Sequence, residues 1–146
     1  MSRLRLPHTV FRAIRAHGER AYPFECCGVL LGQPFAEGWD VAESVEAANA
    51  SAGLARNRYS IAPAELVALA AAARAKGLEI AGFYHSHPDH PAEWSAADLV
   101  EAHWIGCAYV ITQVEHGEAR QTKAFVLAGT REEDKYFELQ TIDVHD

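Results

Sequence analysis

Apolar residues recur along this chain with two periods, and the switches between them mark out its elements. Near the N-terminus Val10 and Ile14, flanked by Phe11, share one face of a short core-packed helix started by Thr9. "YPFECCGVLLGQP" reads as a short buried strand over Cys26–Gly32 between Pro23 and Pro34, with Gly28 and Gly32 signalling close backbone approach. "GWDVAESVEAAN" alternates apolar and polar residues through Val41 and Val45, which predicts a partly exposed strand. "RYSIAP", around Tyr59 and Ile61, predicts a third, so the three are expected to form an antiparallel meander.

"APAELVALAAAARAKG" carries a full set of helix signals: Pro63 in the first turn, Glu65 at the positive end of the dipole, Leu66 and Leu69 on one face, and Gly77 as a stop. "LEIAGFYHS" follows as a buried strand that runs into histidines, and "SAADLVEAHWIG" as a helix ending near Gly106. "CAYVITQV", "RQTKAFVLAG" and "KYFELQTIDV" close the chain as strands, with "EHGEA" as a turn between the first two. The sum is an α+β fold: a mixed, largely antiparallel sheet of about six strands flanked by helices, within one domain spanning 1–146.

Composition narrows the partners. Thirteen Lys plus Arg against twenty Asp plus Glu leave a net charge of -7, which disfavours contact with phosphate backbones and argues against nucleic acid. No apolar run reaches the roughly 18 to 20 residues of a spanning helix, so no membrane partner is expected. The first eighteen residues are Arg-rich and free of acid, as in a transit peptide, but the helical face of Val10 and Ile14 favours a structural reading. Cys26, Cys27 and Cys107 are odd in number and the adjacent pair is badly placed to bridge itself, which makes a reducing cytoplasm the simpler assumption.

The chemistry concentrates in "GFYHSHPDHPAEWSAAD". His85 and His87 stand at i and i+2 of a predicted strand, about 6.5 to 7 Å apart on one face, so both imidazoles can reach one metal ion. With eight histidines in the chain, that spacing alone arises by chance roughly 0.4 times. Adding Ser95 and Asp98 at their offsets lowers the expectation to roughly 0.001, so the complete pattern carries weight. Asp98 lies one turn into the following helix, where a carboxylate can be a third ligand and leave a fourth position open. Ser95 and Asp98 also form a capping box, S-x-x-D before an apolar run, and the two readings are compatible. His90 is expected to be solvated and His103, beside Trp104, to be structural; His8, His17, His116 and His145 show no partners in the sequence. The residues alone do not choose a general base between Glu25 and Glu93.

"FYHSHPDHPAEWSAAD" resembles the zinc motif of the JAMM metalloproteases (JAB1/MPN/Mov34), and "YPFECCGVLLG" is similar to that family's N-terminal signature, with Glu25 at the position of its glutamate. The resemblance runs over nearly the whole chain and implies the cytidine-deaminase-like three-layer arrangement. It implies Zn²⁺ on His85, His87 and Asp98, Glu25 as general base then acid, and Ser95 as oxyanion stabiliser, with Cys27 and Cys107 as packing residues. One departure is Trp94, where members often carry proline. The length matches the compact prokaryotic branch, which implies hydrolysis after the C-terminal glycine of a ubiquitin-like or sulfur-carrier protein, releasing a cysteine or other adduct. A Gly-Gly tail would add as a strand to an exposed sheet edge, and the same edges leave room for a homodimer. The competing classes are a non-catalytic MPN scaffold and a domain whose zinc is structural, the latter normally closed by four protein ligands.

Overall fold

The computed structural model describes residues 2–51 and 59–146. In chain order it has β1 (Arg3–Pro7), α1 (His8–Ala21), β2 (Cys27–Phe35), β3 (Gly38–Ala47), α2 (Pro63–Ala75), β4 (Glu79–Pro88), α3 (Ala96–Glu101), β5 (Ala108–Glu115), β6 (Glu118–Ala128), a 3₁₀ turn (Glu132–Asp134) and β7 (Tyr136–His145). The strands lie in the order β1-β3-β2-β4-β5-β6-β7. β1 runs parallel to both β3 and β7 and closes the ring. The expected mixed sheet with helices against it is present, with seven strands in place of about six.

Side-chain alternation places the helices. Leu30, Ala108 and Val110 point to one face, where α1 buries Val10 and Ile14 together with Leu4, Leu6 and Tyr84. Val29, Leu31 and Tyr109 point to the other, where α2 lays down Leu66, Leu69 and Ala73. Pro63 occupies the first turn of α2 and its C-terminal N–H groups close back on Ala73 and Arg74 before Gly77, as the sequence signals require. Gly28 has no room for a side chain because the Tyr84 ring fills that space, and Gly32 sits against the Asp40 carbonyl at a register shift.

Three expectations are corrected. The first is β1, whose alternating Leu4 and Leu6 are buried between exposed or half-buried neighbours; its parallel pairing to β3 and β7 leaves no local signature. Helix α1 consequently starts at His8 behind Pro7, with no side-chain cap from Thr9. The second is the third strand of the meander: Tyr59 to Ala62 have irregular backbone, and β3 takes β1 as its second neighbour. Pro63 explains part of this, since it denies the segment a ladder donor and opens α2 at once. The third is α3, which stops at Glu101 short of Gly106, with its last carbonyls accepting from the Lys135 ammonium at 3.1 Å (Val100) and 2.6 Å (Ala102). No helix among the described residues is long and apolar enough to cross a membrane.

Candidate metal centre

β4 is the central strand, antiparallel to β2 and parallel to β5, and all but its first residue are buried. A strand buried on both faces reads as a continuous apolar run, and polar groups at its end need partners. His85 and His87, 2% and 7% exposed, are those groups. The strand ends at Pro88, and the chain crosses to α3 through residues 89–95. Ser95 caps that helix: its Oγ accepts the Asp98 N–H at 3.1 Å while Asp98 Oδ2 accepts the Ser95 N–H at 2.9 Å. The capping box thus holds the Asp98 carboxylate rigidly toward β4.

There the three side chains converge. His85 Nε2 lies 3.2 Å from His87 Nε2 and 3.3 Å from Asp98 Oδ1, and His87 Nε2 lies 3.1 Å from Asp98 Oδ2. Donors arranged tetrahedrally at the usual zinc distances would be about 3.3–3.4 Å apart, so the spacing fits a small divalent cation. The hydrogen-bonding pattern agrees. His87 Nδ1 is 2.8 Å from the Pro91 carbonyl and must donate to it. A neutral His87 therefore aims the Nε2 lone pair at a carboxylate, an arrangement that only a cation or an added proton makes favourable. Among the described residues, His85, His87 and Asp98 are the one group whose ligand atoms cluster this way, within 4.8 Å of one another.

Electrostatics follow from burial. Burial pushes His85 below its ordinary value, against the hydrogen bond and charge of Asp98. Burial also pulls on His87, but the bonds to Asp98 and Pro91 and the charges of Asp98 and Glu25 outweigh it and raise the ring. Asp98 is held well below the carboxylate range: burial alone would raise it, and the two histidines and the Ser95 N–H reverse that.

Glu25 sits just before β2 and is 5% exposed. At that exposure it is not a strand-edge carboxylate left in water. It is placed by Ser86, whose side chain points opposite to the two histidines it separates: Ser86 Oγ accepts the Cys26 N–H at 2.9 Å, and the Ser86 N–H donates to the Cys26 carbonyl at 3.3 Å. Glu25 shares with His87 and Ser95 the wall of a cleft of about 280 Å³. Its Oε1 is buried with no hydrogen-bond partner. Burial drives its carboxyl up to about 8, with His87 opposing and the charges of Asp98 and Glu101 adding to the rise.

The remaining candidates separate cleanly. His90 is exposed at the mouth of the same cleft. Glu93 lines the same cleft but is exposed and paired with Lys123 at 2.8 Å. Trp94 packs against Phe137 with ring centroids 5.5 Å apart, so aromatic packing anchors the loop at the position where proline is common. His103 lies beyond α3, exposed and bonded to Glu132, and His17 has a partner after all: its Nδ1 is 2.7 Å from the Tyr84 hydroxyl. The three cysteines are free and buried, and burial raises all three thiols, which is unsuited to a thiolate nucleophile. Reading the sequence missed Ser86 and the Pro91 carbonyl. The first was legible in principle, since the middle residue of H-S-H on a strand faces away from the pair; the second acts through its backbone and leaves no trace in residue type.

Fold and site together define an α+β protein with a two-histidine, one-aspartate cluster able to hold a metal ion at the end of β4, beside a buried glutamate. Residues 7–127 match the model of the prokaryotic homologs of the JAB domain, and the chain belongs to that family. The desampylase of Haloferax volcanii is 37% identical over 89 residues, 61% of this chain and 62% of that protein, so the match spans less than two thirds of the relative. A Salinibacter ruber protein solved in solution superposes with a TM-score of 0.73 at 37% identity, covering 97% of this chain and 92% of that one. One from Desulfitobacterium hafniense has the same fold, with a TM-score of 0.83 at 24% identity over 98% and 93% of the two chains.

Proposed function

We propose that this chain, as one JAMM domain, is a zinc-dependent metallopeptidase that hydrolyses the amide after the C-terminal glycine of a ubiquitin-like or sulfur-carrier protein. The leaving group would be a lysine side chain, a cysteine or another adduct. The observation that carries the reading is Glu25: a buried carboxyl with an unpartnered oxygen, in one cleft with His87 and Ser95. A scaffold would gain nothing from that burial, which costs free energy. A desampylase among the relatives supports the substrate class.

Zn²⁺ held by His85, His87 and Asp98 would supply a Lewis acid that acidifies water to near neutrality. The centre offers three protein ligands, the number expected of a catalytic site in place of a closed structural one. Glu25 takes the proton from the attacking water and hands it to the leaving amine, a task suited to a carboxyl that burial raises to about 8 and that a cation nearby would bring back toward neutrality. Ser95 uses its oxygen to accept from Asp98, which leaves the hydroxyl proton free to donate to the oxyanion. Beyond Asp40, β3 has no ladder to β1, so Val41–Ala47 offer an outer edge, among the described residues, along which an extended Gly-Gly tail can run toward Glu25.

The test is a purified chain with measured zinc, offered a ubiquitin-like protein carrying a C-terminal amide adduct and an isopeptide conjugate of the same protein. Wild type should cleave at least one, and Glu25→Gln should keep zinc and lose cleavage. Zinc-loaded wild type inert on both, or a Glu25→Gln variant that still cleaves, overturns the proposal.

A further inference from the structure

The two histidines of the centre are held differently. His87 has the usual arrangement of a metal-binding imidazole, with its second nitrogen donating to a carbonyl that fixes both tautomer and ring plane. His85 has none: its Nδ1 is buried without a hydrogen-bond partner. Its ring is instead stacked on Tyr59, with centroids 4.2 Å apart and planes 21° from parallel.

Tyr59 is itself anchored. Its neighbour Ser60 donates its N–H to Asn49 Oδ1 at 3.1 Å, accepts the Ala50 N–H at 2.8 Å on its carbonyl, and meets Ser51 Oγ with its hydroxyl at 3.0 Å. Asn49 in turn donates through Nδ2 to the Glu25 carbonyl at 3.1 Å. One amide side chain therefore links the backbone of the buried glutamate to the backbone that carries the tyrosine. The segment is irregular and lacks a strand's ladder, so these bonds fix the backbone from which the Tyr59 ring projects.

We infer that Tyr59 is a positioning residue for His85, its ring fixing the plane of that imidazole in place of the hydrogen bond that fixes His87. The inference rests on the metal-centre reading. A stacked ring does this work best when the imidazole is bound to a cation, because withdrawal of electron density toward the ion strengthens attraction to an electron-rich phenol face. The coupling is thus to metal affinity, and it needs the ring, not the hydroxyl. Phenylalanine should substitute for Tyr59, and leucine, which fills space without a π face, should not.

The experiment is competition with a chromophoric chelator for Zn²⁺, alongside visible spectra of the Co²⁺-loaded protein, on the 146-residue wild type, Tyr59→Phe, Tyr59→Leu and Tyr59→Ala. Near-UV circular dichroism and the unfolding midpoint of each metal-free protein report whether it is folded; if the alanine variant is not, the leucine variant decides. Affinity should fall about 10–100-fold in Tyr59→Leu, with shifted or weakened Co²⁺ bands, while Tyr59→Phe stays within about threefold of wild type with unchanged bands. Wild-type affinity and spectrum in Tyr59→Leu overturn the inference and leave the metal centre standing. An equal loss in Tyr59→Phe also overturns it, by placing the effect in the hydroxyl. Wild type that binds neither ion overturns the metal centre and the inference together.

Discussion

The Pro91 carbonyl lies 2.8 Å from His87 Nδ1, and that one contact determines what the ring presents on its other side. With Nδ1 protonated, Nε2 holds either a lone pair for a metal or a second proton for Asp98, 3.1 Å away. Metal and proton therefore compete for one nitrogen. The His87 ring is raised above 6.5 in the metal-free protein, so its ion pair with Asp98 contributes stability below 6.5 and loses it as pH rises through the folded value. Zinc uptake near pH 7 should release protons, and apparent affinity should fall as the pH drops below neutral. Calorimetry in two buffers of different ionisation enthalpy checks this, and a His87→Ala variant should lose both the proton release and the tight binding.

Glu25 should destabilise the metal-free protein at alkaline pH. Its folded value, about 8, is above the ordinary 4.5, so the neutral carboxyl contributes stability that is complete below 4.5 and disappears as pH rises through 8. At pH 8.5 in a chelator, Glu25→Gln should be more stable than wild type by on the order of 3 kcal/mol, with the difference vanishing near pH 4. Denaturant melts at the two pH values measure it, and equal stability at pH 8.5 would show the carboxylate to be better solvated than its burial implies.

Ser95 caps α3, and substitution can separate that role from the oxyanion contact proposed for its hydroxyl. Ser95→Ala removes the cap and the hydroxyl, costing about 1 kcal/mol of stability and about 10²–10³ in kcat. Ser95→Gly should cost only a few tenths of a kcal/mol at the helix end while losing as much kcat. Comparison of the two variants' melting and turnover checks the split; if the glycine variant turns over near the wild-type rate, the hydroxyl has no part in the chemistry.

Gly28→Ala places a methyl group where the Tyr84 ring now lies. The ring is buried and its hydroxyl is bonded to His17, so it has little freedom to move. A loss of about 1–3 kcal/mol is expected from overpacking, and Gly28→Ala combined with Tyr84→Leu should recover part of it.

Much of the site was legible before any fold. The strand period of "GFYHSH" and the capping box of "SAAD" are set within a turn or a pleat, by backbone hydrogen bonds and side-chain direction, and both appear as read. The same holds for α2, whose start and stop lie in its own residues. Where local signals conflicted or were absent, reading failed: Arg3–Pro7 is too short for a period to stand out, and "YSIAP" has strand residues but no strand to pair with.

The sequence by itself thus determined the elements whose stabilising contacts are near in the chain: the central histidine strand, its capped helix, the long helix, and the His85, His87 and Asp98 pattern they carry. Tertiary structure decided what depends on partners far along it. β1 closes the ring only because β3 and β7 offer it edges, and Glu25 is buried because Cys26 pairs with Ser86, 60 residues away. Tyr59 reaches His85 only through the fold. Residue type announces what a side chain can do; its desolvation, which moves Glu25 from an ordinary carboxylate to one poised near 8, is a property of everything packed around it.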